Sequence, residues 1–265
     1  MTPVIVTLLT DFGTADYFVG AMKGVILDRH RDIRIVDITH EVPPQDIATA
    51  AFLLLAVYRD FPPGTIHLVV VDPGVGSSRD AIVARVGPYT FVAPDNGVLS
   101  YVLDGATGAE VRRLENGELR REVVSTTFHG RDVFAPAAAA LAAGFPFERT
   151  GPLHDRSVRL PPLRNQRAGD GSVTGSVLHI DRFGNCVTSL TGHDLQGEPG
   201  GYVYRIGDHS VEGVRATYAG AAPGVPFMVM GSAGFLEISM NGRSASAWMG
   251  VTRGQVIRAI PRASA

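Results

Sequence analysis

Apolar and polar residues in the first half of the chain form two alternating patterns. Short runs rich in Val and Ile predict β-strands, because β-branched residues fit a pleated, buried surface. Between these runs, apolar residues recur every three to four positions, as on a helix with one buried face. The predicted strands are residues 4–9, 33–38, 66–71, 81–86 and 90–93. This alternation predicts an α/β fold with a mostly parallel sheet buried on both faces.

Three helices are predicted alongside these strands. The first two show helical spacing of apolar residues: Phe18, Met22, Val25 and Ile26 in one, and Ala50, Leu53, Leu54 and Val57 in the other. Asp46 is the predicted N-cap of the second helix, because a carboxylate there can accept hydrogen bonds from free backbone N–H groups. The third helix is predicted over residues 132–143, ahead of Gly144 and Pro146.

The second half of the chain has a different pattern. Short alternating segments at 175–180, 202–206, 227–230 and 255–260 are separated by Gly and Pro, with a helical pattern only near 245–249. We therefore predict an N-terminal α/β domain over residues 1–160, a linker over 161–170, and a smaller C-terminal β-barrel domain, or a sandwich, over 171–265.

Composition and charge exclude several classes of protein. The chain has 265 residues, 45% of them hydrophobic, and a formal net charge of -2, which leaves no basic field for nucleic-acid binding. The Arg-rich stretch 112–121 also contains Glu residues, and we interpret it as a solvated hairpin face. The single cysteine, Cys186, excludes an intrachain disulfide and indicates a reducing cytoplasm. No apolar run reaches membrane-spanning length, so no membrane partner is expected.

Three polar clusters follow predicted strands, where open α/β sheets bind ligands. In the cluster 10–13, Asp11 could cap the next helix or hold the hydroxyls of a ribose. In the glycine-rich cluster 71–79, Asp72 and Arg79 could form a solvated turn or part of a site. In the cluster 126–132, His129 could be a catalytic group or a structural cap.

Several common kinds of site are not indicated. The chain lacks a phosphate-binding P-loop and a dinucleotide-binding glycine fingerprint. None of the eight histidines shows a metal-binding spacing, so we predict no metal. His67 lies in an apolar strand and is predicted to be a satisfied core histidine, whereas His40 stays ambiguous. No nucleophile elbow is present. From the residues alone, the chain reads as an α/β enzyme that binds a small ligand.

The three clusters, in this order, resemble those of the S-adenosyl-L-methionine (SAM) hydroxide adenosyltransferases, a family that also includes halogenases. The segments 37–44 and 180–185 match as well, so the resemblance covers about residues 4 to 250. It implies hydrolysis of SAM to adenosine and methionine without a cofactor. It also implies a homotrimer, with the substrate between the α/β domain of one subunit and the β-barrel domain of its neighbour.

The resemblance further implies roles for ten residues. Asp72, Arg79 and His129 take the places of the set associated with activating water. The implied substrate contacts are Asp11 at the ribose, Phe183 and Asn185 at the adenosine, and Asp181, Ser232, Glu237 and Met240 at the methionine and adenine end. The segment 241–246 departs from the familiar asparagine- and alanine-rich turn.

Two rival functions remain open. A halide-dependent SAM halogenase would share the fold, but its position equivalent to Asp72 resembles a neutral tyrosine. A carboxylate there would repel a halide by Coulomb's law, which favours water as the nucleophile. The second rival is a non-catalytic sensor that binds SAM or adenosine.

Overall fold

The computed structural model describes residues 3–262. The chain forms two compact units, the first ending at Pro162 and the second beginning at Leu163. Gln166–Arg167, inside the predicted linker, forms a two-residue strand that belongs to the second unit. None of the helices within residues 3–262 is long and apolar enough to cross a membrane.

The first unit is built on a six-stranded sheet. Its strands are β1 (Ile5–Thr10), β2 (Arg34–Thr39), β3 (Ile66–Val70), β4 (Ala81–Val86), β5 (Tyr89–Pro94) and β6 (Glu110–Arg113). They lie in the order β2-β1-β3-β5-β4-β6. The first four in this order are parallel, whereas β4 is antiparallel to both β5 and β6. The prediction of an α/β fold with a mostly parallel sheet is confirmed.

The hairpin predicted at residues 112–121 does not form, although Glu115, Glu118, Arg120 and Arg121 are exposed as expected. Arg112 and Arg113 lie on the edge strand β6. This strand pairs with β4, which is distant in sequence, and not with a strand next to it along the chain. Arg112 donates to Glu110 and to two backbone carbonyls, those of Glu148 and Gly151. Its guanidinium therefore satisfies main-chain acceptors at the sheet edge, a role that charge alternation does not indicate.

Helices cover both faces of this sheet. They are α1 (Phe18–Arg29), α2 (Ile47–Val57), α3 (Ser100–Asp104) and α4 (Ala135–Ala142). The predicted cap of α2 is confirmed, since Asp46 accepts a hydrogen bond from the Thr49 N–H at 3.0 Å. The third predicted helix begins earlier than expected, because a π-helical turn at Gly130–Phe134 leads directly into α4.

Alternate residues of the strands enter two separate cores. Leu8 and Leu68 pack in the core that includes α1 and α4, whereas Leu9 and Val69 pack in the core that includes α2 and α3. Burial of both faces explains why these strands read as continuous apolar runs. The parallel strands β1 and β3 end side by side, so Asp11 and Asp72 emerge at the same edge of the sheet.

The second unit is a curled sheet that is antiparallel except for one strand pair. Its elements are β7 (Gln166–Arg167), β8 (Val173–Ile180), β9 (Cys186–Thr191), β10 (Tyr202–Ile206), β11 (His209–Val211), β12 (Val214–Arg215), β13 (Pro226–Met230), β14 (Phe235–Met240), α5 (Ala245–Met249) and β15 (Val256–Pro261). The order β11-β10-β15-β8-β9-β14-β13-β12 forms a half-barrel around a core that includes Tyr204, Leu236 and Ile257. The predicted β-barrel class is confirmed in this form, while β9 and β14 were not predicted.

Candidate active site

Asp72, Arg79 and His129 form one connected cluster in the first unit. The Arg79 Nε–H donates to Asp72 Oδ1 at 2.9 Å, and Arg79 Nη2 donates to Asp72 Oδ2. Arg79 Nη2 also lies 2.9 Å from His129 Nδ1. A guanidinium can only donate, so His129 Nδ1 is the acceptor and neutral His129 carries its proton on Nε2. The structure thus brings together three residues from two distant parts of the sequence.

The cluster is shielded from solvent. The side chains of Asp72 and Arg79 are 4% and 11% exposed, which rules out a solvated turn pair. Arg79 also lies over the Phe134 ring, with its Cζ 5.1 Å from the ring centroid. Burial, followed by the charge of Arg79, lowers the pKa of His129, while the charges of Asp72 and Asp132 oppose this shift. His129 is therefore neutral over a wider range of pH than a free histidine.

A glycine allows the loops that carry these residues to touch. Gly76, between Asp72 and Arg79, has φ of +78°. A Cβ at this position would lie 2.3 Å from the carbonyl oxygen of Thr126, three residues before His129. Any other residue would push the two loops apart, so Gly76 supports the contact between Arg79 and His129.

A small cavity of about 140 Å³ adjoins the cluster. Its polar lining includes Asp72, Thr127 and His129, and the rest is mostly apolar: Phe12, Phe18, Val70, Val75, Phe128 and Gly130. Apolar walls exclude water and strengthen the interactions of the charges they surround. The cavity thus combines an apolar wall with a carboxylate and an imidazole.

Asp11 does not cap the first helix. That helix has Tyr17 at its N-cap and no side-chain cap hydrogen bond. Instead, Asp11 Oδ2 accepts a hydrogen bond from the backbone N–H of Gln45 at 2.8 Å. Gln45 has φ of +66°, which is costly for a residue with a Cβ. Asp11 thus helps to hold this turn, next to Phe12 of the cavity wall.

A larger cavity, of about 570 Å³, lies in the second unit. It is lined by four of the predicted substrate residues, Asp181, Phe183, Asn185 and Met240, and by Tyr218, Asn241, Gly242, Arg243 and Ser244. Phe183 is 78% exposed, which is unusual for a large aromatic side chain. Met240 is almost fully buried. Tyr218 was not predicted, because it lies in a short turn without apolar periodicity.

Asp181 organises the loop that carries Phe183 and Asn185. Its Oδ1 accepts hydrogen bonds from the backbone N–H groups of both residues, at 2.9 and 2.8 Å. Its Oδ2 accepts from the side-chain amide of Asn185 at 2.8 Å, which leaves the amide oxygen of Asn185 free of this bond. The sequence Asp-Arg-Phe-Gly-Asn could have indicated this turn, because Asp commonly bonds to backbone N–H groups two residues on.

Ser232 and Glu237 are not among the residues that line this cavity. Ser232 is exposed in the turn between β13 and β14, and Glu237 lies on β14. Glu237 Oε2 accepts a hydrogen bond from the Tyr218 hydroxyl at 3.1 Å. Burial raises the pKa of Glu237, and the nearby charge of Asp181 raises it further, while the bond from Tyr218 opposes the shift. Tyr218 therefore connects Glu237 to the cavity.

Two further histidines lie in the first unit. His40 is buried, with Nδ1 2.8 Å from the Thr10 hydroxyl and Nε2 3.1 Å from Asp37 Oδ1. His67 is fully buried and stacks on Phe91, as a core histidine should. Only its Nδ1 is bonded, to Thr7, and Nε2 has no hydrogen-bond partner within residues 3–262, so it is only partly satisfied. Burial lowers the pKa of His67 to about 4.

Three potential metal ligands also meet in the first unit. Ligand atoms of Asp80, Asp95 and His154 lie within 4.8 Å of one another. His154 Nε2 is 2.8 Å from Asp95 Oδ2, and Arg113 Nε is 3.2 Å from Asp80 Oδ2. The guanidinium thus supplies a positive charge beside Asp80, and Asp95 is paired with His154.

Comparisons with known proteins agree with this geometry. Models of the SAM hydroxide adenosyltransferase N-terminal and C-terminal domains match residues 6–151 and 175–258. An (R)-S-adenosyl-L-methionine hydrolase from Thermus thermophilus is 39% identical over 269 residues, covering 97% of this chain and 99% of its own length. A fluorinase from Nocardia brasiliensis is 28% identical and covers 91% of each chain.

Among solved structures, an uncharacterised conserved protein from Thermotoga maritima is similar over nearly the whole chain. It has a TM-score of 0.90 and 38% identity, covering 96% of this chain and 99% of its own. Both halves of the chain match models of one family, and the hydrolase relative spans the full length. The chain therefore belongs to the SAM hydroxide adenosyltransferase family.

Proposed function

We propose that this chain hydrolyses (R)-S-adenosyl-L-methionine to adenosine and L-methionine. The observation that carries the proposal is the connected Asp72, Arg79 and His129 cluster beside an apolar cavity. Its composition suits the activation of water rather than the binding of a halide. The relatives named as (R)-SAM hydrolases support this assignment, because they are 38–39% identical, compared with 27–28% for the fluorinases.

The proposed reaction is a single displacement at the ribose C5′ atom. The oxygen of a water molecule forms a bond to C5′ while the bond from C5′ to the sulfonium sulfur breaks. The electron pair of that bond stays on sulfur, which leaves as the neutral thioether of methionine. Opposite charges merge in this transition state, so a dry, low-dielectric cavity favours it over bulk water.

Asp72 is the proposed proton acceptor. The Nδ1 lone pair of His129 is occupied by the bond from Arg79, and its Nε2 carries a proton. Neutral His129 in this arrangement can donate a hydrogen bond to the attacking oxygen but cannot accept its proton. Asp72 accepts two hydrogen bonds from Arg79 and has lone pairs left for the proton of water. Arg79 orients Asp72 and stabilises the negative charge that develops on the oxygen.

We propose that Asp11 holds the ribose hydroxyls with its free oxygen, and that Phe183 and Asn185 contact the adenosine. Asp181 acts by shaping this loop, while Ser232, Glu237 and Met240 are assigned to the methionine and adenine end. The exposed ring of Phe183 and the free amide oxygen of Asn185 support this assignment. An exposed aromatic ring offers a surface on which a base can stack.

We further propose a homotrimer in which one subunit supplies the Asp72 cluster and its neighbour supplies the Phe183 loop. The two cavities support this, because each is lined by residues of one unit only. Mixing Asp72→Asn subunits with Phe183→Ala subunits tests it, since some mixed interfaces would then be intact. Recovery of activity after mixing is expected, and no recovery in a demonstrated mixed oligomer would refute the shared arrangement. Residence in the cytoplasm is proposed on the single buried cysteine.

Incubation with SAM tests the proposed function directly. Purified protein is incubated with the separated (R) and (S) epimers, with and without saturating chloride or fluoride, and products are resolved by chromatography. We expect adenosine and methionine from the (R) epimer, with no dependence on halide. A 5′-halogenated nucleoside would indicate a halogenase, and binding without products would indicate a sensor.

A further inference from the structure

Asp132 is a fully buried carboxylate outside the proposed catalytic set. Its Oδ2 accepts a hydrogen bond from the backbone N–H of Ser125 at 2.9 Å. The Arg131 guanidinium donates to both of its oxygens, at 2.7 and 2.9 Å. Burial alone would raise the pKa of Asp132, but the bonds from Arg131 and Ser125 outweigh this effect and lower it. Asp132 is therefore a fixed negative charge inside the first unit.

The hydrogen bonds of Asp132 link the chain segments on either side of His129. Ser125 lies in the loop between the short turn Gly117–Leu119 and His129, and Asp132 lies in the π-helical turn that follows His129. The backbone adds two more links, because the Asp132 N–H donates to the Phe128 carbonyl at 3.1 Å and the Asp132 carbonyl accepts from the Arg121 N–H at 2.9 Å. The chain before His129 is thus held to the chain after it. Single π-helical turns of this kind are often found at functional sites.

The same loop touches the chain that carries the other two catalytic residues. The Thr126 carbonyl, next to the Ser125 N–H that Asp132 holds, lies against Gly76. Gly76 in turn lies between Asp72 and Arg79 in the sequence. A shift of the Ser125 segment would therefore change the 2.9 Å separation between Arg79 Nη2 and His129 Nδ1. Small displacements of reacting groups have large effects on rate.

Asp132 also contributes to the field at His129. The charged groups that act on this imidazole are Arg79, which disfavours its protonated form, and Asp72 and Asp132, which favour it. Arg131 lies against Asp132 and partly offsets its charge. If the charge of Asp132 were removed, the positive charges of Arg79 and Arg131 near His129 would be opposed by less negative charge.

We propose that Asp132 is a positioning residue for the hydrolysis of SAM: it fixes the loop ahead of His129 so that the imidazole meets Arg79, and it supplies a balancing negative charge. The proposal rests on the proposed function. It predicts two separable consequences of removing Asp132, one on geometry and one on charge.

Variants of Asp132 test the two consequences. Asp132→Ala removes the acceptor for Ser125, and we expect kcat to fall about tenfold to hundredfold with KM changed less than about threefold. Asp132→Asn keeps an acceptor oxygen but loses the charge, so the pKa of His129 should fall. The acidic limb of the kcat/KM profile should then move to lower pH, because His129 must be neutral to accept from Arg79. NMR titration of the His129 ring measures the same shift without activity.

Asp95→Asn is the matched control. Asp95 is also buried in the first unit, and it also accepts a backbone N–H, from Val158, and a side-chain bond, from His154. This variant should lose stability but keep the kcat and the pH profile of the wild type. If Asp132→Asn does not fold, Arg131→Gln serves instead, because its side chain is partly exposed. Loss of the Arg131 charge should raise the pKa of His129.

Two results would overturn the proposal. One is an unchanged His129 titration in folded Asp132→Asn, or in Arg131→Gln if that variant is needed. The other is an equal loss of kcat in Asp95→Asn, which would show a general effect of destabilisation. If wild-type protein forms no adenosine, the proposed function fails; the NMR titration still decides whether Asp132 sets the state of His129.

Discussion

The two cavities of this chain hold their functional groups in place by different means. In the first unit, Asp72, Arg79 and His129 bond to one another through their side chains. In the second unit, the Asp181 carboxylate accepts hydrogen bonds mainly from backbone N–H groups of its own loop. The first cavity is also the smaller, about 140 Å³ compared with about 570 Å³.

Under the proposed function, this difference separates the groups that carry out the chemistry from those that recognise the substrate. Side-chain pairing fixes the charge state and direction of groups that must act on a small nucleophile, and it keeps them out of water. Backbone bonding shapes a loop and leaves an aromatic ring and an amide oxygen to meet a larger ligand. We therefore expect changes in the first region to lower kcat, and changes in the second to raise KM.

Asp72→Asn is expected to have the largest effect. An amide cannot accept the proton of water, and general base catalysis is worth roughly 10²–10⁴ in rate. We expect kcat to fall by that order while adenosine still binds with similar affinity, as measured by steady-state kinetics and calorimetry. Turnover within a few-fold of wild type would remove Asp72 from the role of base.

Two glycine substitutions compare the regions directly. Gly76→Ala would place a Cβ 2.3 Å from the Thr126 carbonyl oxygen, and Gly184→Ala would place one 1.9 Å from Ser244 Oγ. Gly76 lies beside the Asp72 cluster, so its substitution should lower kcat about tenfold. Gly184 follows Phe183 within the same loop, so its substitution should mainly raise KM.

Open glycines with similar backbone angles provide the controls for this pair. At Gly64, with φ of +86°, and at Gly254, with φ of +82°, an added Cβ would meet no described atom within 4 Å. Alanine at either should cost about 1–2 kcal/mol of stability and leave both kinetic constants unchanged. The proposed difference between the two regions would be contradicted if Gly76→Ala raised KM alone, or if the control variants showed the same kinetic losses.

Tyr218→Phe should have the smallest effect. It tests whether the charge of Glu237 in the second unit contributes to substrate binding. The Tyr218 hydroxyl opposes the rise in the pKa of Glu237, so its loss should raise that pKa further. Glu237 would then be protonated up to a higher pH, and its attraction for the cationic substrate would be lost there. We expect KM to change about fivefold or less, because this bond lies at an exposed site, where a single hydrogen bond contributes about 1 kcal/mol. The change should appear in acid solution and vanish at higher pH, and a change independent of pH would contradict it.

The parallel half of the fold could be predicted from sequence because its strands are short runs that are mostly apolar. All five predicted strands of the first unit are present, and no end differs from the prediction by more than one residue. The strands β9 and β14 carry polar residues that fold into the interior, such as Thr188, which donates to the Leu236 carbonyl. In the sequence, such polar residues indicate a loop, because only the tertiary structure supplies their hydrogen-bond partners.

Part of the candidate site could also be located from the sequence. Asp72, Arg79 and His129 follow strands or precede a helix, so their positions could be recognised. Tyr218 could not, because its contact with Glu237 joins residues nineteen positions apart across a turn. The role of Asp132 was equally hidden, since it depends on a backbone N–H seven residues earlier. Both contacts depend on the path of the chain between the two residues, which leaves little trace in the sequence.

Hydrolysis in water enriched in oxygen-18 tests the central claim most directly. Attack of water at C5′ places the oxygen of the solvent in the 5′-hydroxyl of adenosine, and mass spectrometry of the products locates it. The account predicts labelled adenosine and unlabelled methionine from the wild type, formed far more slowly by Asp72→Asn. Unlabelled adenosine, or labelled adenosine formed at an equal rate by Asp72→Asn, would contradict it.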